Sequence, residues 1–129
     1  MPKVTNISGV LRVGKIGYDG YGFSKNNWNS LNNGKNSSFS SPVLDTLGYW
    51  ADTLVIRFTG VNDLSSYPKF CKLYIDGSLS YVGKKFCKVG ADWIGYTCKS
   101  PEECSAKAVF SKRNVGLIYK IKLEFYDEL

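Results

Sequence analysis

The segment Leu117-Ile118-Tyr119-Lys120-Ile121-Lys122-Leu123-Glu124-Phe125 decides the fold class. Its polar side chains occupy alternate positions, and the positions between them form an apolar face that consists of Leu117, Tyr119, Ile121, Leu123 and Phe125. A period of two residues is typical of a β-strand that is buried on one face, whereas an amphipathic helix repeats every ~3.6 residues. We therefore predict a half-buried strand over these residues.

Two further stretches carry the same signal. Residues 54–59 alternate in the same way, with Leu54, Ile56 and Phe58 on one face. Apolar runs at residues 73–75 and 79–82 flank Asp76-Gly77. Because Asp-Gly accepts the positive φ angles of a two-residue turn, these runs predict a β-hairpin. Weaker strand patterns cover residues 4–16 and 92–98.

Signals for helix are few. Ser100-Pro101-Glu102-Glu103 has the form of a capping box with proline at the first helical position, and Ala106 and Ala108 could extend it by about two turns. The chain has 129 residues, which is the size of one domain. We predict an all-β or β-rich α+β fold over residues 1–129: a single antiparallel β-sandwich or barrel-like domain with one or two short helical turns.

Residues 24–42 differ from the rest of the chain in being rich in asparagine and serine. We predict a long polar loop, because such clusters favour turns and cannot fill a core. Trp28 and Phe39 lie within this segment. Two interpretations of these rings remain open: they pin the loop to the core, or they project as contact residues.

The chain contains no histidine, which excludes Ser-His-Asp and Cys-His nucleophile systems and HExxH metal sites. The glycine-rich stretch at residues 14–22 lacks the spacing of a phosphate loop or a dinucleotide fingerprint. We therefore predict a protein that is not an enzyme and that has no cofactor. The formal net charge of +6 favours acidic partners, although dispersed lysines are also typical of an ordinary soluble surface.

Membrane and export signals are also missing from the sequence pattern. No apolar run reaches the ~18 residues that a membrane-spanning helix needs, so we expect no membrane insertion. Residues 1–13 lack the order of charged, apolar and small residues that marks a signal peptide. We expect a protein that is made in the cytoplasm.

The cysteines are Cys71, Cys87, Cys98 and Cys104. None forms a C-x-x-C pair, so we predict no metal site. Disulfides are possible at all four positions, and the sequence does not choose among the three pairings. In a reducing compartment, all four could instead be small buried apolar side chains.

Aromatic side chains interleave with polar and basic ones around residues 18–28. Such side chains can stack on bases or on sugar rings, and they can equally be core residues of strands. The candidate binding residues are Tyr18, Tyr21, Phe23, Trp28 and Phe39.

Residues 10–82 resemble small β-rich modules of tailed-phage virion proteins. The resemblance rests on a Gly-Tyr segment, a Ser-x-Ser-Pro segment, a strand and a Phe-to-Gly hairpin, which here are Gly20-Tyr21-Gly22, Ser38–Pro42, Leu54–Gly60 and Phe70–Gly77. It implies a structural subunit of a phage tail, appendage or capsid surface. It carries over no catalytic residue and implies nothing about the role of the cysteines, because the second half of the chain, which holds them, departs from the pattern.

Our expectation is therefore a non-enzymatic assembly protein of a phage particle. It would be made in the host cytoplasm and would contact other virion proteins, or copies of itself, through β-edges and the aromatic-containing loop. The alternatives are a glycan- or nucleic-acid-binding module, with a host-surface glycan as one possible ligand, and a small phage-encoded inhibitor of a host system.

Overall fold

The computed structural model describes residues 4–16, 20–24, 28–30, 43–50, 53–59, 65, 67–88, 93–98 and 104–128. The strands are β1 (Val4–Arg12), β2 (Gly14–Ile16), β3 (Gly20–Ser24), β4 (Trp28–Ser30), β5 (Val43–Trp50), β6 (Thr53–Thr59), β7 (Phe70–Ile75), β8 (Ser78–Lys88), β9 (Trp93–Cys98) and β10 (Ile118–Tyr126). A short helix α1 (Ala106–Val109) and a 3-10 turn (Lys112–Asn114) precede β10. Within these ranges, no helix has the length and apolar character needed to cross a membrane.

The strands form one antiparallel sheet that curls into a nearly closed barrel. Its order is β2-β3-β5-β6-β9-β8-β7-β10-β1-β4. Only Val13 separates β1 from β2, so the two are halves of one bent strand. This bent strand pairs with β10 on one side and with β3 and β4 on the other, which joins the two ends of the sheet. The prediction of a β-rich, antiparallel, barrel-like fold is confirmed.

The Asp76-Gly77 hairpin is present between β7 and β8. Both residues have positive φ angles, 50° at Asp76 and 89° at Gly77, as a turn that follows the twist of the strands requires. The register pairs Leu73 with Tyr81 and Tyr74 with Leu79, so that a bulge at Ser80 turns Leu79 outward. Leu79 is consequently 50% exposed.

The core fills the interior of the barrel with side chains from alternate strand positions. On β10 the inward residues are Ile121, Leu123 and Phe125, as the alternation predicts. The ring of Phe125 lies 5.7 Å from that of Phe58 and 5.5 Å from that of Tyr96, measured between centroids. The predicted apolar face is wrong at Leu117, which is 51% exposed because it precedes β10 in a turn.

Short segments close the two ends of the barrel. At one end, called the helix end here, α1 buries Ala106, and Cys104 and Phe110 are also buried on either side of it. At the opposite end, Pro68 accepts a hydrogen bond from the Tyr96 hydroxyl at 2.9 Å. Lys85 Nζ donates to the Tyr67 carbonyl oxygen at 2.7 Å. The predicted helical turns exist, whereas the capping box at residues 100–103 lies outside the described residues.

Candidate binding surfaces

The aromatic residues expected to bind a ligand have different surroundings. Phe23 is fully buried inside the barrel and contributes to the core. Tyr21 is half-buried on β3, where it pairs with Tyr49 of β5. Tyr18 and Phe39 lie outside the described residues, and for Trp28 only the backbone is described. That backbone forms β4, so the segment predicted as a loop at 24–42 contains a short strand paired with β1.

The structure pairs two of the cysteines. Cys98, at the end of β9, forms a disulfide with Cys104, which precedes α1, and the bond therefore ties the helix to the barrel wall. Cys71 and Cys87 are free thiols, the first buried and the second exposed. The strands around the hairpin do pair, but the register places Cys71 opposite Gly83 and Cys87 opposite Ile94.

Large exposed apolar side chains gather at the helix end. Among the described residues they are Leu79, Val115, Leu117 and Ile118, each about half exposed, which we call the apolar rim. Leu79 is the second residue of β8, next to the hairpin turn, and Ile118 shares a groove of about 530 Å³ with Asp76 and Gly77 of that turn. Three of the four lie within residues 115–118, and exposed apolar residues that lie close together mark interaction sites more often than isolated ones do.

Hydrogen bonds fix the backbone of this rim. Gly116 N donates to the carbonyl oxygen of Val13 at 2.8 Å, and Val13 N donates to that of Leu117 at 2.9 Å. The side-chain amide of Asn114 donates to the carbonyl oxygens of Ala108 and Val109, at 3.1 and 2.9 Å. The loop is thereby tied both to the bent strand and to α1. A surface held in this way loses little conformational entropy when a partner binds.

The side chains beside the rim are predominantly cationic. Arg12 lies opposite Ile118 in the β1–β10 register, and Lys112 and Arg113 precede Val115 by a few residues. All three are exposed, and none forms an ion pair within the described ranges. The rim therefore combines apolar contact area with unpaired positive charge.

A second surface lies on the outer face of β7 and β10. Lys72 Nζ is 4.8 Å from the centroid of the Tyr126 ring, and Lys122 Nζ is 4.6 Å from that of Tyr74. Glu124 accepts a hydrogen bond from the Tyr126 hydroxyl and lies 3.3 Å from Lys122 Nζ. These contacts connect the five side chains across the two strands.

The same network shifts the pKa values of its members. Burial raises the pKa of Glu124, but hydrogen bonds from Tyr126, Tyr74 and Lys122 outweigh burial, so the net pKa lies below its usual value. The hydrogen bond to the Glu124 carboxylate raises the pKa of Tyr126 to about 12. Burial, followed by the hydrogen bond to Glu124, raises that of Tyr74. The carboxylate is therefore held ionised and the phenols are held protonated.

A third surface crosses the opposite wall. Asp45 forms an ion pair with Arg57, whose guanidinium lies 5.4 Å from the centroid of the Trp93 ring. Trp93 in turn meets Phe86 edge to face, with centroids 5.3 Å apart. This row fastens four neighbouring strands across the outside of the barrel, and its charges are already used within the chain.

Buried ionisable groups line the interior. Burial raises the pKa values of Cys71, Tyr81 and Tyr96, so these groups stay protonated and are not poised as nucleophiles or bases. Among the described residues, no group of three or more His, Cys, Asp or Glu side chains is arranged to hold a metal ion.

Comparisons with protein families, curated proteins and solved structures found no match. None of these three surfaces was predicted from the sequence, and for the apolar rim a local signal did exist. The available signal was Val115-Gly116-Leu117-Ile118, an apolar run that contains a glycine and follows Lys112-Arg113. Because Leu117 also fits the alternation of the strand that follows, the sequence pattern assigns it to the buried face of that strand.

Proposed function

We propose that this chain is a non-enzymatic assembly protein that docks onto a second protein through the apolar rim. The observation that carries the proposal is the exposure of Leu79, Val115, Leu117 and Ile118 at the helix end, three of them within residues 115–118. Burying such side chains in a partner contributes about 25 cal/mol for each Å² of apolar surface removed from water.

The chemistry of the partner follows from the side chains around the rim. Arg12, Lys112 and Arg113 surround apolar contact area, so the matching surface is apolar at its centre and carries carboxylates at its edge. The resemblance of residues 10–82 to tailed-phage virion modules supports a virion protein as this partner, and the virion as the location. A second copy of the chain would bring cations against cations, which disfavours self-association through this surface.

The test compares wild-type protein with a Leu117→Ser/Ile118→Ser variant. Particles of the source virus are first analysed by mass spectrometry for this chain, and the tagged proteins are then cross-linked to dissociated particle proteins. We expect the wild type to yield one specific cross-linked virion protein and the variant to lose it. Val55→Ser, a half-buried apolar position on the opposite wall, is the matched control.

Absence of the chain from the particles would refute the virion assignment. Equal cross-linking by wild type and the rim variant, with both proteins folded by circular dichroism, would refute the rim as the docking surface. Cross-linking to a host protein instead would favour the inhibitor alternative, in which the same rim serves a different partner.

A second function is favoured by the lysine–tyrosine pairs on β7 and β10. Lys72 with Tyr126, and Lys122 with Tyr74, place cations beside aromatic rings, which is an arrangement that glycan- and nucleic-acid-binding surfaces use. Both lysines already contact groups of the chain itself, which weakens this alternative. A Tyr74→Ala/Tyr126→Ala variant that loses salt-sensitive binding to a single-stranded oligonucleotide or an acidic glycan would support it.

A further inference from the structure

A groove beside α1 has a volume of about 620 Å³; its described lining contains none of the four rim residues but shares Lys112 and Arg113 with the surroundings of the rim. The described residues that line it are Tyr49, Ala108, Ser111, Lys112 and Arg113. We propose that it binds a small phosphate ester that carries a ring, either the planar base of a nucleotide or the pyranose of a sugar phosphate. Its volume is within the range of ~300–1,000 Å³ typical of small-molecule sites.

One wall of the groove is aromatic. Tyr49 lies near the end of β5, is half-buried and packs against the core, so the position of its ring is fixed. The ammonium of Lys107 lies 5.5 Å from the centroid of this ring. A ring that is rigidly held, partly exposed and close to a cation can stack on a planar ligand or on the apolar face of a sugar.

The other lining side chains are small or donate hydrogen bonds. Ala108 is exposed and leaves space above the helix. The Ser111 hydroxyl does not cap the 3-10 turn and is therefore available to a ligand. Lys112 and Arg113 are exposed, and among the lining residues that the structure describes no side chain is a carboxylate.

This combination of groups selects a particular class of ligand. Residues with hydroxyl, ammonium and guanidinium donors line the groove, no described lining residue is a carboxylate, and guanidinium binds phosphate oxygens in a bidentate geometry. The aromatic wall adds a contact that inorganic phosphate cannot make. We therefore expect a ring-bearing phosphate to bind more tightly than phosphate alone.

The experiment is isothermal titration calorimetry with the full-length wild-type chain and AMP, glucose 6-phosphate and inorganic phosphate as probes. Three variants accompany it. Lys112→Gln/Arg113→Gln removes the anion contacts, Ala108→Trp fills the groove without changing the charge, and Lys69→Gln/Lys84→Gln removes the same charge from exposed positions towards the opposite end. Thermal melts establish that each variant is folded.

We expect AMP or glucose 6-phosphate to bind about ten-fold more tightly than inorganic phosphate, and the stronger of the two identifies the ring. Both groove variants should weaken this binding by about ten-fold or more, and the Lys69/Lys84 variant by less than about two-fold. Equal loss in the Lys69/Lys84 variant would show non-specific attraction and overturn the proposal. So would failure of all three probes to bind.

Discussion

Tyr126 donates a hydrogen bond from its phenol to the carboxylate of Glu124, the residue two positions earlier on β10. Residues two apart on a strand lie on the same face, so this pair needs no other element to bring it together. Lys122 and Tyr74 complete the surroundings of the carboxylate. The pKa of Glu124 is thereby lowered and that of Tyr126 is raised.

The lowered pKa of Glu124 predicts a loss of stability in acid. The folded state favours the ionised carboxylate, so its contribution is present above the unfolded pKa, near the usual 4.5, and is lost as the pH falls through the lower folded value. The free energy of unfolding measured in urea should therefore fall more steeply below pH 4.5 for the wild type than for Glu124→Gln. Parallel curves for the two proteins would contradict this linkage.

The raised pKa of Tyr126 predicts a change in alkali. A folded pKa of about 12, above the usual 10.0, gives stability that is complete below pH 10.0 and disappears as the pH rises through the folded value. In Glu124→Gln the acceptor charge is absent, so tyrosinate absorbance should appear at lower pH than in the wild type. Tyr126→Phe serves as the control, because it removes the titrating group itself.

Among truncations of core side chains, we expect that of Phe125 to cause the largest loss of stability. Its ring is fully buried and meets the rings of Phe58 and Tyr96, so Phe125→Ala removes contacts that no neighbour replaces. We expect a decrease of about 3–5 kcal/mol in the free energy of unfolding. Leu117→Ala, at an exposed position, should change it by less than about 0.5 kcal/mol. Chemical denaturation measures both values.

Gly48 lies where the backbones of β3 and β5 approach so closely that even the methyl group of alanine does not fit. A Cβ there would lie 2.4 Å from the carbonyl oxygen of Tyr21 and 2.9 Å from the Cα of Gly22, so β3 and β5 would have to separate. We expect Gly48→Ala to destabilise the fold by about 3 kcal/mol. At Gly116 a Cβ meets nothing within 4 Å and only its positive φ is unfavourable, so Gly116→Ala should cost about 1 kcal/mol. Similar melting temperatures for the two variants would show that the close approach is not limiting.

The cysteines predict a distinctive pattern of thiol reactivity. Native protein should expose one rapidly reacting thiol, Cys87, whereas Cys71 should react only on unfolding. Replacing Cys98 and Cys104 together by serine should lower the free energy of unfolding by about 2 kcal/mol, because the disulfide closes a short loop. Ellman's reagent and denaturant titration measure these effects. Two rapidly reacting thiols in the native protein would contradict the assigned burial.

Strands with strong alternation could be predicted from the sequence. Elements that form only because another segment of the chain lies beside them could not. The periods around Ile121 and Leu54, and the turn at Asp76-Gly77, are local signals that survive in the structure. The residues of β4 resemble a polar loop, and they form a strand because the backbone of β1 lies beside them. The Cys98–Cys104 pairing likewise depends on where α1 packs, which no spacing rule contains.

The residues of the candidate surfaces were harder to predict than the strands. Phe23 and Ile118 are both apolar residues in strand-like segments, yet one is in the core and the other is 58% exposed. The local sequence pattern cannot separate the two. Ile118 is exposed because it is the first residue of β10 and lies at the end of the barrel. The groove at Tyr49 brings β5 together with the segment after α1, which lies more than fifty residues further along the chain.

The bent strand β1–β2 has a consequence for biosynthesis. Its partner β10 is the last described strand, and β10 also covers β7. During translation, the edges of β1 and β7 therefore remain unpaired until the ribosome has released residues 118–126. A nascent chain with two open edges is exposed to aggregation and to chaperone capture. Ring closure at so long a sequence separation should make this protein a slow folder for its size.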